Sequence, residues 1–163
     1  MMSAIANGGR LMQPRVIDRL EDEKGRLVLK YPVKLVRQSI SPATAKQVTK
    51  ALKTVAAQGG TAHRAELDFY TVAGKTGTAQ KAGRGGYIPG KYYASFVGFL
   101  PADKPELCIL VAVDEPQGDY YGGLVAAPIF KAIAGRTASY LGIAPDKKPD
   151  ELAIRGRRTS GRR

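Results

Sequence analysis

One ten-residue stretch limits the folds open to this chain more than any other. It reads Val72-Ala73-Gly74-Lys75-Thr76-Gly77-Thr78-Ala79-Gln80-Lys81. The pattern predicts a β-strand, but its residues do not alternate between apolar and polar as those of a simple core strand would. Its glycines and alanines leave room for another backbone or a ligand to approach closely. Because one cation, Lys75, and two hydroxyls, Thr76 and Thr78, stand between these small residues, we predict a strand that holds a carboxylate.

Upstream of this strand, the sequence predicts two helical segments and a hairpin. The elements are a helix end over residues 1–7, a hairpin over 15–21 and 27–31, an extended piece over 33–38 and a helix over 42–58. Ser41 as N-cap and Pro42 in the first turn mark the start of that helix. Its predicted buried face carries apolar residues at spacings of three and four, namely Ala45, Val48, Leu52, Val55 and Ala56.

Downstream, the sequence predicts a meander followed by a helix. The elements are strands over residues 70–81, 92–100 and 107–113 and a helix over 124–141. Short connections make the strands antiparallel neighbours, with a mobile glycine-rich loop over 82–90. The third strand is almost continuously apolar, so we expect both of its faces to be covered. The helix is expected to pack on the sheet through Val125, Ile129, Ala132, Ile133 and Tyr140. The predicted fold class is α+β, an antiparallel meander with helices packed on it.

Composition excludes several kinds of site. The chain has 163 residues, which suits one domain, and no apolar run approaches the roughly 20 residues of a membrane span. Neither a signal peptide nor a transmembrane segment is expected. The single cysteine, Cys108, excludes an internal disulfide and is expected to be buried. The single histidine, His63, falls in a connector, so a metal centre, a cofactor or a Ser-His-Asp triad is not expected.

The positive charge of the chain raises an alternative function. The formal net charge of +12 would suit a protein that binds nucleic acid or an anionic membrane surface. Residues 146–163 contain seven Lys/Arg and three Asp/Glu, and this Gly- and Arg-rich tail is predicted to be disordered. The remaining charge is spread along the chain, with no basic helix and no alternation of aromatic and basic residues. Nucleic acid is therefore not the expected partner.

Four stretches resemble one enzyme family. They are residues 4–14, residues 72–81, residues 95–101, and Val113-Asp114-Glu115-Pro116 followed by Tyr120-Tyr121-Gly122-Gly123 and Ala126-Ala127-Pro128-Ile129-Phe130. In this order and spacing, they resemble the C-terminal part of the transpeptidase domain of class B penicillin-binding proteins, closest to the cell-division type, penicillin-binding protein 3 (FtsI). Lys75-Thr76-Gly77 matches the third signature of these serine acyl-transferases. The resemblance implies the penicillin-binding protein and serine β-lactamase type of fold.

The resemblance also implies an activity and the roles of several residues. It implies a D,D-transpeptidase that cross-links peptidoglycan stem peptides through a serine acyl-enzyme during septal cell-wall synthesis, and that binds β-lactams. By position, Lys75 and Thr76 belong to the site for the donor carboxylate, and Gly77 keeps the strand edge open. Thr78 belongs to the oxyanion hole and the carboxylate site. The residues that match the family's aromatic wall are Tyr92, Tyr120 and Tyr121.

Two other signatures of the family are missing from this sequence. No serine is followed by lysine three residues on or by asparagine two residues on, so Ser-x-x-Lys and Ser-x-Asn are both absent. We therefore interpret residues 1–145 as the C-terminal part of a transpeptidase domain, inactive alone, and 146–163 as its tail. The parent is expected to be anchored in the inner membrane with this domain in the periplasm, and to act with divisome proteins and a glycosyltransferase. The alternative is a catalytically dead module that binds a peptide or a protein partner.

Overall fold

The computed structural model describes residues 1–147, and its elements follow the predicted order. The helices are α1 (Met2–Ala6), α2 (Pro42–Ala56) and α3 (Gly122–Tyr140), with a 3₁₀ turn at His63–Ala65. The strands are β1 (Arg10–Met12), β2 (Arg19–Glu21), β3 (Leu27–Lys30), β4 (Leu35–Gln38), β5 (Ala73–Gly83), β6 (Gly86–Leu100) and β7 (Leu107–Asp114). The predicted tail from residue 148 onward lies outside the described residues.

The three long strands form one antiparallel sheet in the order β5-β6-β7, which confirms the predicted meander. The prediction of a mobile loop over residues 82–90 is wrong, because β5 runs to Gly83 and β6 begins at Gly86. The pairing shifts register after Gln80 and then continues to the turn. Gly85 and Gly86 have φ values of +86° and +147°, which glycine adopts without strain. The glycines therefore close a hairpin.

One face of the sheet packs on α3. Phe96 and Leu100 of β6 and Phe130 of α3 are fully buried between helix and sheet. The rings of Phe96 and Phe130 meet edge to face, with their centroids 4.8 Å apart. The residues that α3 buries beside Phe130 are all small, namely Gly122, Gly123, Ala126, Ala127, Ala134 and Ala138. This small-residue side lets the helix axis come close to the sheet.

The prediction of which side of α3 faces the sheet is wrong. Ile129 and Ile133 are each 42% exposed, and Tyr140 is 89% exposed. Val125 is half-buried and Ala132 is exposed. The prediction favoured large apolar side chains, whereas α3 buries its glycine and alanine side. Aromatic rings already fill the space between the layers, and a close-packed interior has no room for a second row of large side chains.

The opposite face of the sheet is covered at one end. A second buried cluster forms there, from Met2, Ala73, Phe99 and Ala102. Leu52 of α2 packs against this cluster. On this face of β7, Leu110 is 66% exposed, and Cys108 is exposed although it lies opposite Phe99 and its sulfur lies 3.7 Å from the Ser3 hydroxyl of α1. Two predictions are therefore wrong, the coverage of both faces of β7 and the burial of Cys108, because β7 is an edge strand of the described sheet and α1 contacts it at Cys108 without enclosing it.

The beginning of α2 confirms the predicted helix start. The Ser41 hydroxyl accepts a hydrogen bond from the Thr44 N–H at 3.0 Å, and Pro42 occupies the first turn. The five apolar positions predicted to face inward are all buried or half-buried. The helix ends at Ala56, two residues before the predicted end.

Replacing Ser41 by alanine is expected to lower the free energy of unfolding by about 1 kcal/mol, because an N–H group in the first turn of α2 loses its partner. Urea unfolding of the 163-residue chain measures this change. The matched control is Ser39→Ala, at an exposed serine two residues upstream, which should change the free energy by no more than about 0.5 kcal/mol. Equal losses in the two variants would contradict the capping role.

Two small antiparallel sheets lie in the N-terminal half. β2 pairs with β3, which confirms the predicted hairpin, although β2 begins at Arg19 rather than at residue 15. The Asp22 carboxylate accepts hydrogen bonds from the N–H groups of Lys24 and Arg26, both at 2.9 Å, and so closes the turn. β1 pairs with β4. β1 was not predicted, because three residues are too few to show an alternating pattern.

The last described residues pack against the segment before β5. The Asp146 carboxylate accepts a hydrogen bond from the Thr71 N–H at 2.7 Å. The Lys147 ammonium donates to the carbonyl of Leu67. The Tyr70 hydroxyl donates to the Ile143 carbonyl at 2.8 Å. These contacts hold the chain after α3 beside the start of the predicted site strand.

Candidate active site

The Lys75-Thr76-Gly77-Thr78 stretch lies along β5. Among residues 1–147, β5 pairs with β6 alone, so its other edge is open. Lys75 and Thr78 are exposed, and Thr76 and Gly77 are half-buried. The Lys75 ammonium donates to the Thr76 carbonyl at 2.9 Å and to the Thr76 hydroxyl at 3.2 Å. An accessible cation beside hydroxyls on an unpaired strand edge can bind a carboxylate.

The beginning of α3 docks on this stretch. The Gly122 N–H donates to the Thr78 hydroxyl at 3.2 Å. A Cβ atom at Gly122 would lie 2.1 Å from the Ser95 carbonyl oxygen and 2.5 Å from the Gly77 carbonyl oxygen. A Cβ atom at Gly123 would lie 2.0 Å from another backbone oxygen. The glycine pair therefore permits an approach that a larger residue would prevent, and it places the helix N-terminus beside Thr78.

Three predicted tyrosines form a cluster at the beginning of α3, which we call the tyrosine cluster (Tyr92, Tyr120 and Tyr121). Tyr92 and Tyr120 stack with their centroids 4.3 Å apart and their planes 14° apart. The hydroxyls of Tyr120 and Tyr121 lie 3.3 Å apart. The pKa of the Tyr120 phenol is raised above its ordinary value, mainly by this hydrogen bond. The charge of Tyr121, partial burial and the charge of Tyr92 raise it further, in that order. Since Tyr92 lies opposite Gln80 of β5, it belongs to the same face of the sheet as Thr76 and Thr78.

An ion-pair network that the sequence analysis missed joins β5, β6 and the end of β7. The Lys81 ammonium lies 2.8 Å from carboxylate oxygens of both Asp114 and Glu115, and Lys91 also pairs with Glu115. The ammonium groups of Lys81 and Lys91 hold the pKa of Glu115 below its ordinary value. Asp114 and Glu115 raise the pKa of Lys81 above its ordinary value. The Lys81 ammonium also lies 4.8 Å from the ring centroid of Tyr93.

The lowered pKa of Glu115 predicts a loss of stability in acid. Its contribution is complete above the ordinary pKa of 4.5 and disappears as the pH falls through the lower folded-state value. Because these side chains are only partly buried and still reach solvent, the effect is expected to be small and to shrink at high salt. Urea unfolding from about pH 7 to about pH 3 measures it. Glu115→Gln should lose less stability over that interval than the natural chain, and identical pH dependences would contradict the assignment.

The cavity beside α1 and α2 lies away from this site. A cavity of about 480 Å³ lies between α1, α2 and the loop after β6, where Ile5, Lys46 and Ala102 line it. Neither the Lys75–Thr78 stretch nor the tyrosine cluster borders it, because a strand edge is an open surface.

In the part of the chain that the structure describes, no group of three or more His, Cys, Asp or Glu side chains could hold a metal ion. None of the helices within residues 1–147 is long and apolar enough to cross a membrane.

Direct contacts link the predicted site residues into one surface. Lys75 contacts Thr76, Thr78 binds the start of α3, and the tyrosine cluster flanks that start. Gly122, Gly123 and Glu115 belong to the stretches that carry the family resemblance, but neither the docking of the two glycines nor the ion pairs of Glu115 were predicted. A Gly-Gly pair directly before a helix is the signal that could have indicated the close approach.

Comparison with known proteins decides the family. The family described as "Penicillin binding protein transpeptidase domain" matches residues 1–135, a range that contains β5, the tyrosine cluster and most of α3. The chain belongs to the penicillin-binding protein transpeptidase family. The resemblance seen in the sequence is thereby confirmed.

Two curated relatives share about two fifths of their aligned residues with this chain. Stage V sporulation protein D of Bacillus subtilis is 41% identical over 152 residues, which cover 92% of this chain and 23% of that protein. Peptidoglycan D,D-transpeptidase FtsI of Escherichia coli is 38% identical over 121 residues, which cover 71% of this chain and 21% of that protein. The chain therefore spans less than a quarter of the length of these two relatives.

Solved transpeptidase structures match the described fold. The transpeptidase domain of penicillin-binding protein 3 from Burkholderia pseudomallei matches with a TM-score of 0.74 at 38% identity, covering 90% of this chain and 42% of that one. Penicillin-binding protein 3 from Mycobacterium tuberculosis, complexed with aztreonam, matches with a TM-score of 0.77 at 31% identity, covering 90% of this chain and 35% of that one. The predicted fold class, part of a penicillin-binding transpeptidase fold, is confirmed.

Proposed function

We propose that this chain is the C-terminal part of the transpeptidase domain of a peptidoglycan D,D-transpeptidase. The observation that carries the proposal is the docking of α3 against the Lys75–Thr78 strand. One hydrogen bond from Gly122 to Thr78 joins the open strand edge, a helix N-terminus and the tyrosine cluster into one surface. That surface combines the groups needed to hold an extended peptide that ends in a carboxylate.

The donor peptide is proposed to lie along the free edge of β5 as an added strand, with Gly77 leaving room for its backbone. The Lys75 ammonium and the hydroxyls of Thr76 and Thr78 bind the carboxylate of the terminal D-alanine. The positive end of the α3 dipole adds to this attraction. The backbone N–H of Thr78 stabilises the oxyanion, a contribution of about 3 kcal/mol for a donor of this kind. The tyrosine cluster forms the adjoining wall.

The reaction needs a nucleophile that these residues do not supply. A serine from the rest of the domain attacks the carbonyl carbon of the penultimate D-alanine. The bond to the terminal D-alanine breaks as its nitrogen takes up the serine proton. An amine of a second stem peptide then attacks the ester and releases the serine. Since this chain contains no Ser-x-x-Lys, we propose that it is inactive alone. Its intact mass should be unchanged after penicillin treatment, and a stoichiometric ester would contradict this.

The same site is proposed to bind β-lactams, which carry a carboxylate and a reactive amide as the donor peptide does. The relative from Mycobacterium tuberculosis solved with aztreonam supports this part of the proposal. The resemblance to the cell-division type supports a role of the parent enzyme in septal cell-wall synthesis. Its proposed partners are divisome proteins and a glycosyltransferase, and its proposed location is the inner membrane with this domain in the periplasm.

A chimera tests the proposed function. Residues 1–147 replace the matching segment of the Burkholderia pseudomallei transpeptidase domain, so that the relative supplies the nucleophile. A fluorescent penicillin should label the chimera covalently, and unlabelled penicillin should compete. The matched control is the same chimera with the relative's nucleophilic serine replaced by alanine, which should take up no label.

A chimera that folds cooperatively and takes up no label would contradict the proposed function. The 163-residue chain is then tested for binding of a peptide that ends in D-Ala-D-Ala. Binding without labelling of the chimera would favour the alternative, a catalytically dead module that binds a peptide carboxylate through Lys75 and Thr76.

A further inference from the structure

Glu115 occupies an unusual position beside the tyrosine cluster. Its φ is +47°, in the left-handed region that residues with side chains rarely adopt. In this conformation, its N–H donates to the Tyr92 carbonyl at 2.9 Å. Its carboxylate accepts from Lys81 of β5 at 2.8 Å and from Lys91 of β6. One residue therefore attaches the loop after β7 to both of the other strands.

The loop between β7 and α3 is held at both of its ends. Glu115 fixes its beginning to β5 and β6, and Gly122 fixes its end to Thr78. Tyr120 lies between these two attachments and stacks on Tyr92, whose own carbonyl accepts the Glu115 N–H. The backbone bond and the stacking contact thus involve the same residue of β6. A shift of Glu115 would therefore also change how Tyr92 and Tyr120 stack.

We propose that Glu115 is a positioning residue that holds the tyrosine cluster in the geometry needed to form one wall of the substrate site. The role of that wall rests on the function proposed above, whereas the positioning itself can be measured without it. The ion pairs of Glu115 are partly buried but still reach solvent, and pairs that remain accessible to water contribute little to global stability. The Glu115 carboxylate is therefore expected to act mainly on the orientation of the loop. Its effect on the free energy of unfolding is expected to be minor.

Nuclear magnetic resonance of the 163-residue chain tests the positioning directly. A ring that stacks on Tyr120 experiences its ring current, so the Tyr92 ring protons should resonate upfield of those of an unstructured tyrosine. The Tyr92 signal is assigned with Tyr92→Phe. Glu115→Gln should move this signal toward the unstructured position while the urea midpoint stays nearly constant. An unchanged Tyr92 signal in Glu115→Gln would overturn the proposal.

Two further variants separate this contact from a general loss of charge. Lys91→Met removes one partner of Glu115 and should move the Tyr92 signal in the same direction by a smaller amount. The double variant with Glu115→Gln should move it no farther than Glu115→Gln alone, because both changes remove one contact. Asp103→Asn breaks the ion pair with Lys53 at 2.7 Å on the α2 side and should leave the signal unchanged. Additive shifts, or an equal shift in Asp103→Asn, would overturn the proposal.

The chimera then connects the positioning to binding. Glu115→Gln should raise the dissociation constant of the non-covalent penicillin complex by up to about fivefold, the size of the effect of an ion pair that still reaches solvent, and leave the acylation rate constant nearly unchanged. A loss confined to the acylation rate constant would contradict a role in forming the binding wall. If the unsubstituted chimera takes up no penicillin, the proposed function fails, while the resonance measurement still decides whether Glu115 positions the cluster.

Discussion

Replacing Gly122 by alanine is expected to lower the free energy of unfolding by about 3 kcal/mol, at the upper end for an overpacked site. The added Cβ would lie 2.1 Å from the Ser95 carbonyl oxygen and 2.5 Å from the Gly77 carbonyl oxygen. Both atoms belong to the paired backbones of β5 and β6, so no side-chain rotation can relieve the contact. The N-terminus of α3 must move away from the sheet, and the hydrogen bond to Thr78 is lost.

Gly135→Ala is the matched control for Gly122→Ala, because both glycines lie in α3. A Cβ at Gly135 would meet its nearest neighbour, a Leu67 methyl group, at an ordinary distance of 3.6 Å. Alanine favours the helix more than glycine by about 1 kcal/mol, so this variant should be as stable as the natural chain or more so. Urea unfolding compares the two variants. Similar losses would show that α3 tolerates no substitution at all, and would contradict a specific role of Gly122 in docking.

Replacing Lys75 by alanine in the chimera is expected to reduce the second-order constant for acylation by penicillin roughly 10- to 100-fold, because hydrogen bonds to charged groups contribute about 1.5–3 kcal/mol. Among residues 1–147, the Lys75 ammonium donates hydrogen bonds only to Thr76, so it is available to a ligand carboxylate. The time course of labelling by the fluorescent penicillin measures the constant.

Lys104→Ala serves as the control for charge, since Lys104 is exposed in the loop between β6 and β7. It removes the same charge from the protein and should leave the acylation constant within about twofold, as expected for a screened surface charge. An unchanged constant in Lys75→Ala would remove Lys75 from the carboxylate site. A second ligand, a penicillin whose carboxylate is esterified, should be nearly insensitive to Lys75→Ala.

Elements with strong local signals were predicted well. α2 has a serine N-cap, a proline in the first turn and a regular apolar face, and it begins where predicted. The order of β5, β6 and β7 follows from short connections between apolar runs. The stretch with Lys75, Thr76 and Thr78 forms a strand as predicted, whereas its role in binding a carboxylate stays a prediction.

The errors share one physical cause, since each depends on what lies across from a residue in space. Ile129 and Ile133 have the apolar character of core residues, but the glycine and alanine side of α3 allows the closer approach to the sheet. Cys108 lies in an apolar edge strand, where the Ser3 hydroxyl of α1 contacts its sulfur but does not bury it. The contacts of Glu115 come from two other strands, and no local pattern indicates them.

A crystal structure of the chimera acylated by a penicillin tests the central claim most directly. We predict that the ligand carboxylate lies within hydrogen-bond distance, about 2.7–3.2 Å, of the Thr76 or Thr78 hydroxyl. We also predict that the acyl oxygen accepts a hydrogen bond from the Thr78 N–H and that the ligand runs along the free edge of β5. An acyl-enzyme whose carboxylate lies away from Lys75, Thr76 and Thr78 would contradict the account.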